Sequence, residues 1–151
     1  MRPTRTPTTV EKMARECVAN QARILNRVVT GIYEAELRPL KLKASQMVIL
    51  VLTAERGQVR AAELCRALQM DTSTLSRNIE RMRARGWVEA APAADGRSHP
   101  FRLTPSGKRI LRDAVLAWER AQVKATDRLG SEGVASLFRT TRNLRTETSG
   151  A

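Results

Sequence analysis

Between Trp87 and Thr104 the apolar spacing of the chain changes, and this change constrains the fold more than any other feature. Elsewhere apolar residues recur every three or four positions, the period of an amphipathic helix. In this interval WVEAAP (87–92) and PFRLT (100–104) read as two short strands joined by the polar loop ADGRS (94–98). The Asp95-Gly96 pair inside that loop is a strong signal for a tight hairpin. Pro100 weakens the second strand, because it has no N–H to donate, and is best placed at a sheet edge. The fold class is therefore mainly α with one small β-hairpin.

The helices on either side can be bounded from their punctuation. Pro3 and Pro7 oppose regular structure, so residues 1–9 read as a flexible basic arm. From Val10 to Leu37 there is no proline, and Ala14, Val18, Ala22, Leu25, Val29 and Ile32 make a stripe along one side of a single long helix. A helix of about 28 residues spans roughly 42 Å at ~1.5 Å per residue. That is long for a domain this small, so part of the stripe is expected to bury against something outside the chain. Pro39 ends it. Ser45 to Glu55, closed by Gly57, is apolar on nearly all sides (Met47, Val48, Leu50, Val51, Leu52), which predicts central burial. Ala61 to Leu68 is a short helix with Leu64 and Leu68 stacked. Asp71 is a good N-cap for a helix to Arg85, stopped by Gly86. After the hairpin, Thr104-Pro105 opens a helix to Arg128 as N-cap and first helical residue. Gly130 breaks it, and a last helix runs from Ser131 to Leu144 before a polar tail at 146–151.

Two short helices joined by the brief turn Leu68–Asp71 and followed at once by a hairpin make a helix-turn-helix with a wing. The residue chemistry agrees. Leu75, Ile79 and Met82 face inward on the second helix, which leaves Thr72, Ser73, Thr74, Ser76, Arg77 and Arg81 outward. Small hydroxyls at its N-terminal end let a helix sit deep in a major groove and bond to phosphates or base edges. Arg77, Arg81 and Arg85 recur every four residues and so share a side, and the guanidinium fork suits guanine edges and phosphates alike. The composition points to the same partner: 27 Lys and Arg against 15 Asp and Glu leave a net charge of +12, which attracts polyanions. An aromatic content of 3% is low for modules that stack single-stranded bases, whereas gripping duplex phosphates needs no aromatic platform.

The segment MDTSTLSRNIERMRARGWVEAAPAADGRSHPFRLTPSGKRIL (70–111) resembles the DNA-binding core of the MarR family of bacterial winged helix-turn-helix transcriptional regulators. The shared pattern runs from a capped recognition helix, through a Gly and a strand, to a wing with Asp and Arg two apart, then to Leu-Thr and a Gly-containing helix start. AELCRAL upstream and LKASQMVIL at the start of the second helix match as well. The resemblance implies a homodimer whose first and last helices interleave. Residues 10–40 and 105–145 would then be the helical dimerisation region, and 41–104 the winged helix-turn-helix domain. It further implies that Thr72, Ser73, Thr74, Ser76 and Arg77 meet the major groove and that Arg97 at the wing tip enters the minor groove, oriented by Asp95 beside Gly96. This wing carries Ser98, His99 and Pro100 where the family is often richer in Arg and Lys, and His99 reads as a phosphate neighbour or as simply exposed. A sequence-specific duplex-DNA-binding regulator is implied, acting as a repressor released by a small aromatic effector ligand. The alternatives are a low-specificity architectural DNA binder and a cysteine-based redox regulator.

The redox alternative rests on Cys17 on the first helix, about two positions from the reactive cysteine of some relatives and on a different side; plain packing is the other reading of this residue. Cys65 reads as a small buried hydrophobe. Two distant cysteines make no disulfide framework and suit a reducing compartment. There is no signal-peptide pattern at the N-terminus and no run near the ~18 apolar residues of a membrane span, so a cytoplasmic protein without membrane contact is expected. With one histidine and no ligand spacing, no metal site is expected. Enzyme signatures are also missing: there is no Walker A loop, dinucleotide fingerprint, nucleophile elbow or HExxH. The chain reads as a non-enzyme without a cofactor.

Overall fold

The long N-terminal helix is interrupted. The computed structural model describes residues 8–93 and 99–147, and in it α1 (Thr9–Glu16) and α2 (Val18–Leu37) are separated at Cys17, whose φ of −69° and ψ of 109° are extended. Thr8 and Glu11 form a capping box at the start of α1. The Gln21 side-chain amide donates to the Arg15 carbonyl (3.0 Å), giving a partner to a group freed by the break. No residue of α1 is buried, so no packing holds it in line with α2. Within the expected stripe Ala14, Val18 and Ala22 are exposed, while Leu25, Val29 and Ile32 are half-buried. A 3-10 turn over Arg38–Leu40, with Pro39 in its first turn, leads to Lys41 in the left-handed region (φ 52°).

Helix α3 (Ala44–Arg56) buries Met47, Ile49 and Leu50 but turns Val48 and Val51 outward at 38% and 44% exposure. Its burial is therefore one-sided, against β3, α5 and α6, and not all round as its composition suggested. Gly57 (φ 75°) ends it, and β1 (Gln58–Val59) follows, a strand too short to show any period in the sequence. Helix α4 (Ala61–Leu68) keeps its expected bounds, and α5 (Thr72–Ala84) starts from the Asp71 cap as expected and stops one residue short of Arg85.

Strands β2 (Val88–Ala90) and β3 (Phe101–Leu103) pair antiparallel with Val88 opposite Leu103 and Ala90 opposite Phe101. Because β1 pairs with the other side of β3, the sheet order is β1-β3-β2, and β3 is central and not an edge. Pro100 is accommodated because it stands just before β3 and contributes only its carbonyl, which accepts from Ala91 N–H at 2.8 Å. Thr104 caps α6 (Pro105–Asp113), its hydroxyl accepting from Gly107 N–H at 3.0 Å. The helix expected over 105–128 tightens at Ala114, where α7 (Val115–Glu147) begins, and α7 itself is broken at Gly130 (φ 73°, ψ 155°).

One core joins these parts: Leu37 and Leu42, Ile49 and Leu50, Val59, Leu64, Leu75 and Met82, Val88, Phe101 and Leu103. Burying each such large side chain contributes about 1.5–3 kcal/mol. Helix α7 lies on α2 through the small residues Ala117, Ala121 and Ala125, which let the two backbones approach. Glu36 on α2 binds Arg120 (2.8 Å) and Lys124 of α7, and those hydrogen bonds hold its carboxyl below the usual range. The Tyr33 hydroxyl donates to Gln122 in the same seam, where burial raises its pKa.

Candidate nucleic-acid interface

The first turn of α5 is built around Asp71. Its Oδ1 accepts from the Ser73 hydroxyl at 2.6 Å and from Thr74 N–H at 2.8 Å. These hydrogen bonds, Ser73 first, hold the Asp71 carboxyl well below the usual carboxylate range, with the Arg77 charge adding to them. The Arg77 guanidinium in turn donates to the Ser73 hydroxyl oxygen at 3.2 Å, which draws it toward the N-terminal end of the helix. Thr72, Ser73, Ser76, Arg77 and Arg81 are exposed and Thr74 is half-buried, while Leu75, Ile79 and Met82 are buried beneath them. The outward face of hydroxyls and guanidinium groups thus stands over an apolar footing. Helix α4 and the left-handed Gln69 (φ 50°) fix the angle at which α5 departs.

Two residues depart from the expected layout. Arg85 does not share a face with Arg77 and Arg81: it caps the end of α5, donates to the Lys41 carbonyl, and lies 4.9 Å over the Trp87 ring. The four-residue spacing assumed a helix one residue longer than forms. Asn78, which the sequence reading left unassigned, is buried against α3. Its burial depends on a partner 33 residues away, which no local pattern reveals.

Of the wing residues, His99 is exposed, next to the buried Pro100. Asp95, Gly96 and Arg97 lie outside the described residues. At the base of the wing Arg102 pairs with Glu89 across β3 and β2 at 2.8 Å, a surface pair of about 0–1 kcal/mol that stiffens the hairpin stem. Cys17 is exposed at the break between α1 and α2, and Cys65 is half-buried on α4. Among the described residues no three His, Cys, Asp or Glu side chains cluster as a metal site would require, and no helix is long and apolar enough to cross a membrane.

A groove opens where α2 passes into α3, lined by Glu34, Arg38, Lys41, Leu42, Lys43 and Arg85. Glu34 accepts from Lys43 Nζ (3.1 Å) and from Ala44 N–H (2.9 Å). Four cationic side chains face one carboxylate there.

A recognition helix set on a short helical support and followed by a three-stranded wing defines a winged helix-turn-helix protein. The MarR family profile matches residues 40–98. The multiple antibiotic resistance protein MarR of Salmonella typhimurium is 33% identical over 75 residues, 49% of this chain and 52% of that protein. The chain thus spans about half the length of the curated relatives it matches. Among solved structures, AbsC of Streptomyces coelicolor, a MarR family transcriptional regulator, has a TM-score of 0.73 at 25% identity, over 98% of this chain and 100% of AbsC. A mutant E. coli MarR complexed with operator DNA has a TM-score of 0.78 at 22% identity, over 91% of this chain and 99% of that one. BpsR of Bordetella bronchiseptica, described for regulation of its DNA binding by 6-hydroxynicotinic acid, has a TM-score of 0.73 at 22% identity, covering 85% and 94%. Residues 40–98 thus carry the MarR family pattern, and the chain shares the fold of these regulators.

Proposed function

We propose that this protein is a dimeric, sequence-specific regulator of transcription that binds duplex DNA with α5 in the major groove and the wing in the minor groove, as a repressor. The observation that carries the reading is the α5 surface itself: hydroxyls at a capped N-terminus and the exposed Arg77 and Arg81 above a buried apolar face. The +12 charge supplies the long-range attraction, and the operator-bound relative supports the docking mode. In this reading residues 41–104 form the DNA-binding domain, and 10–40 with 105–145 the dimerisation region. Val10, Met13 and Val18 near one end of the chain, and Phe138 and Leu144 near the other, are each more than half exposed, apolar surface that a second copy would cover. A cytoplasmic location goes with the proposal. Binding of two chains to the duplex upstream of its own gene should exceed binding to a random duplex. The slope of log K against log salt should be steeper than about −3. Equal affinity for both duplexes would favour an architectural binder, and a shallower slope would remove phosphate neutralisation as the driving term.

A second reading concerns release. The groove beside Glu34 holds Arg38, Lys43 and Arg85 where the dimerisation helices meet the winged domain, and BpsR answers to an aromatic acid. We propose that a small aromatic carboxylate docks there by charge-assisted hydrogen bonds. A ligand at about a hundredfold its Kd stabilises by roughly 2.7 kcal/mol, which raises Tm by roughly 5–10 °C. A panel of phenolic and pyridine carboxylic acids in a thermal-shift assay tests this, with the Arg38→Ala/Lys43→Ala variant losing the response. Silence across the panel would remove the proposal.

A further inference from the structure

Three polar side chains are buried among the described residues: Gln46, Thr53 and Asn78. Two of them serve their own helix. Gln46 Oε1 accepts from Lys43 N–H at the start of α3 (3.1 Å), and the Thr53 hydroxyl donates to the Ile49 carbonyl (2.7 Å). Asn78 reaches farther. Its amide donates to the Thr74 carbonyl one turn back (3.0 Å), and its Oδ1 accepts from the Ser45 hydroxyl of α3 at 3.4 Å. It is 7% exposed, on the same side of α5 as Leu75, Ile79 and Met82.

Stability alone does not account for an asparagine at this position. Replacing both partners of a buried hydrogen bond by apolar groups of similar shape is often neutral or stabilising. What a buried hydrogen bond adds is direction, as a single buried asparagine does when it fixes the register of a coiled coil. Contacts by Leu75, Ile79 and Met82 are non-directional. They set how deep α5 is seated, and a directional contact adds to what packing gives in restraining its rotation about its own axis. The hydrogen bond to Ser45 restrains that rotation. Its far end is also anchored, because Ala44, next to Ser45, donates its N–H to Glu34 of α2 at 2.9 Å. The path Glu34, Ala44-Ser45, Asn78 joins the dimerisation helix to the recognition helix.

We propose that Asn78, held by Ser45, is a positioning residue that sets the rotation of the recognition helix and hence base readout, without itself touching DNA. This rests on the duplex-DNA reading above. The test measures, by fluorescence anisotropy, the ratio of affinities for the upstream duplex and a random duplex in Asn78→Leu, Ser45→Ala, Ser45→Thr and the Ser45→Ala/Asn78→Leu double variant of the full chain. Tm is followed in parallel. The expected result is a ratio lowered between about threefold and tenfold in Asn78→Leu and in Ser45→Ala, the worth of one net hydrogen bond. The double variant should lose no more than either single one and should melt no lower than wild type, and Ser45→Thr should keep the wild-type ratio. Unchanged ratios in Asn78→Leu and Ser45→Ala, additive losses, or equal weakening on both duplexes would overturn the positioning role. A wild-type ratio of one would refute the sequence-specific reading and this role with it, whereas a high wild-type ratio that both single variants keep refutes this role alone.

Discussion

Gly107→Ala should lower the stability of the protein by about 3–5 kcal/mol, more than a single added methyl normally costs in a packed interior. Gly107 is helical and its φ is ordinary, so conformational freedom is not the reason for glycine here. The reason is proximity: a Cβ at this position would lie 2.0 Å from the Trp87 carbonyl oxygen and 3.0 Å from its carbon. The obstacle is backbone, which cannot swing aside as a side-chain tip would. That backbone is also committed on both sides. Trp87 N–H donates to the Met82 carbonyl at the exit of α5 (2.9 Å), and the Trp87 carbonyl accepts from Thr104 N–H at the cap of α6 (3.0 Å). Relieving the clash therefore strains the C-terminal stop of the recognition helix and the N-cap of α6 together. Thermal denaturation followed by circular dichroism should show a fall in Tm of roughly 6–20 °C for a chain of this size. A variant melting within about 2 °C of wild type would show that the two helices have room to part.

The same glycine shows how much could be read in advance. Its place in a Leu-Thr-x-x-Gly helix start was visible in the sequence, but its close neighbour, Trp87, is supplied by tertiary structure. Features decided within a few residues were legible: the Asp71 cap, the bounds of α4, the stops at Gly57 and Gly86, the Thr104-Pro105 opening and the break at Gly130. Each depends on a local hydrogen bond or a backbone preference. Features decided by distant partners were not. β1 spans two residues and exists because β3 offers it an edge, which also makes β3 central and removes the expected edge position of Pro100. Val48 and Val51 looked like core, yet they lie on a side of α3 that no described element covers. The kink at Cys17 carries no Gly or Pro; it persists because α1 has no buried contact to straighten it. At the candidate interface, the outward residues Thr72 to Arg81 followed from helical period alone. Arg85 was misread because Lys41 and Trp87 hold it against the fold, and Asn78 went unassigned because its partner Ser45 lies far off in sequence.

Arg77→Ala should relax sequence preference while leaving the fold intact. In the free protein the Arg77 side chain is exposed yet not loose, since its guanidinium donates to Ser73, which is itself fixed by Asp71. A side chain ordered before binding loses less entropy on contact, so more of its hydrogen bonding appears as affinity. If Arg77 forks onto a base edge in the major groove, its loss should cost about 1–3 kcal/mol on the cognate duplex, or roughly 5- to 150-fold. Random duplex should lose little, because one phosphate-range charge among many is removed. Arg97, the residue proposed for the minor groove, should behave the other way. Arg97→Ala should weaken binding to all sequences alike and flatten the slope of log K against log salt by about one. Titrations of both variants against cognate and random duplexes at two salt concentrations separate the roles. Stability should stay within about 0.5 kcal/mol of wild type for Arg77→Ala, since it removes an exposed side chain. Equal losses on both duplexes for both variants would mean that the two arginines act only as charge, and α5 would then have to read sequence through Ser76, Arg81 or the hydroxyls of its first turn.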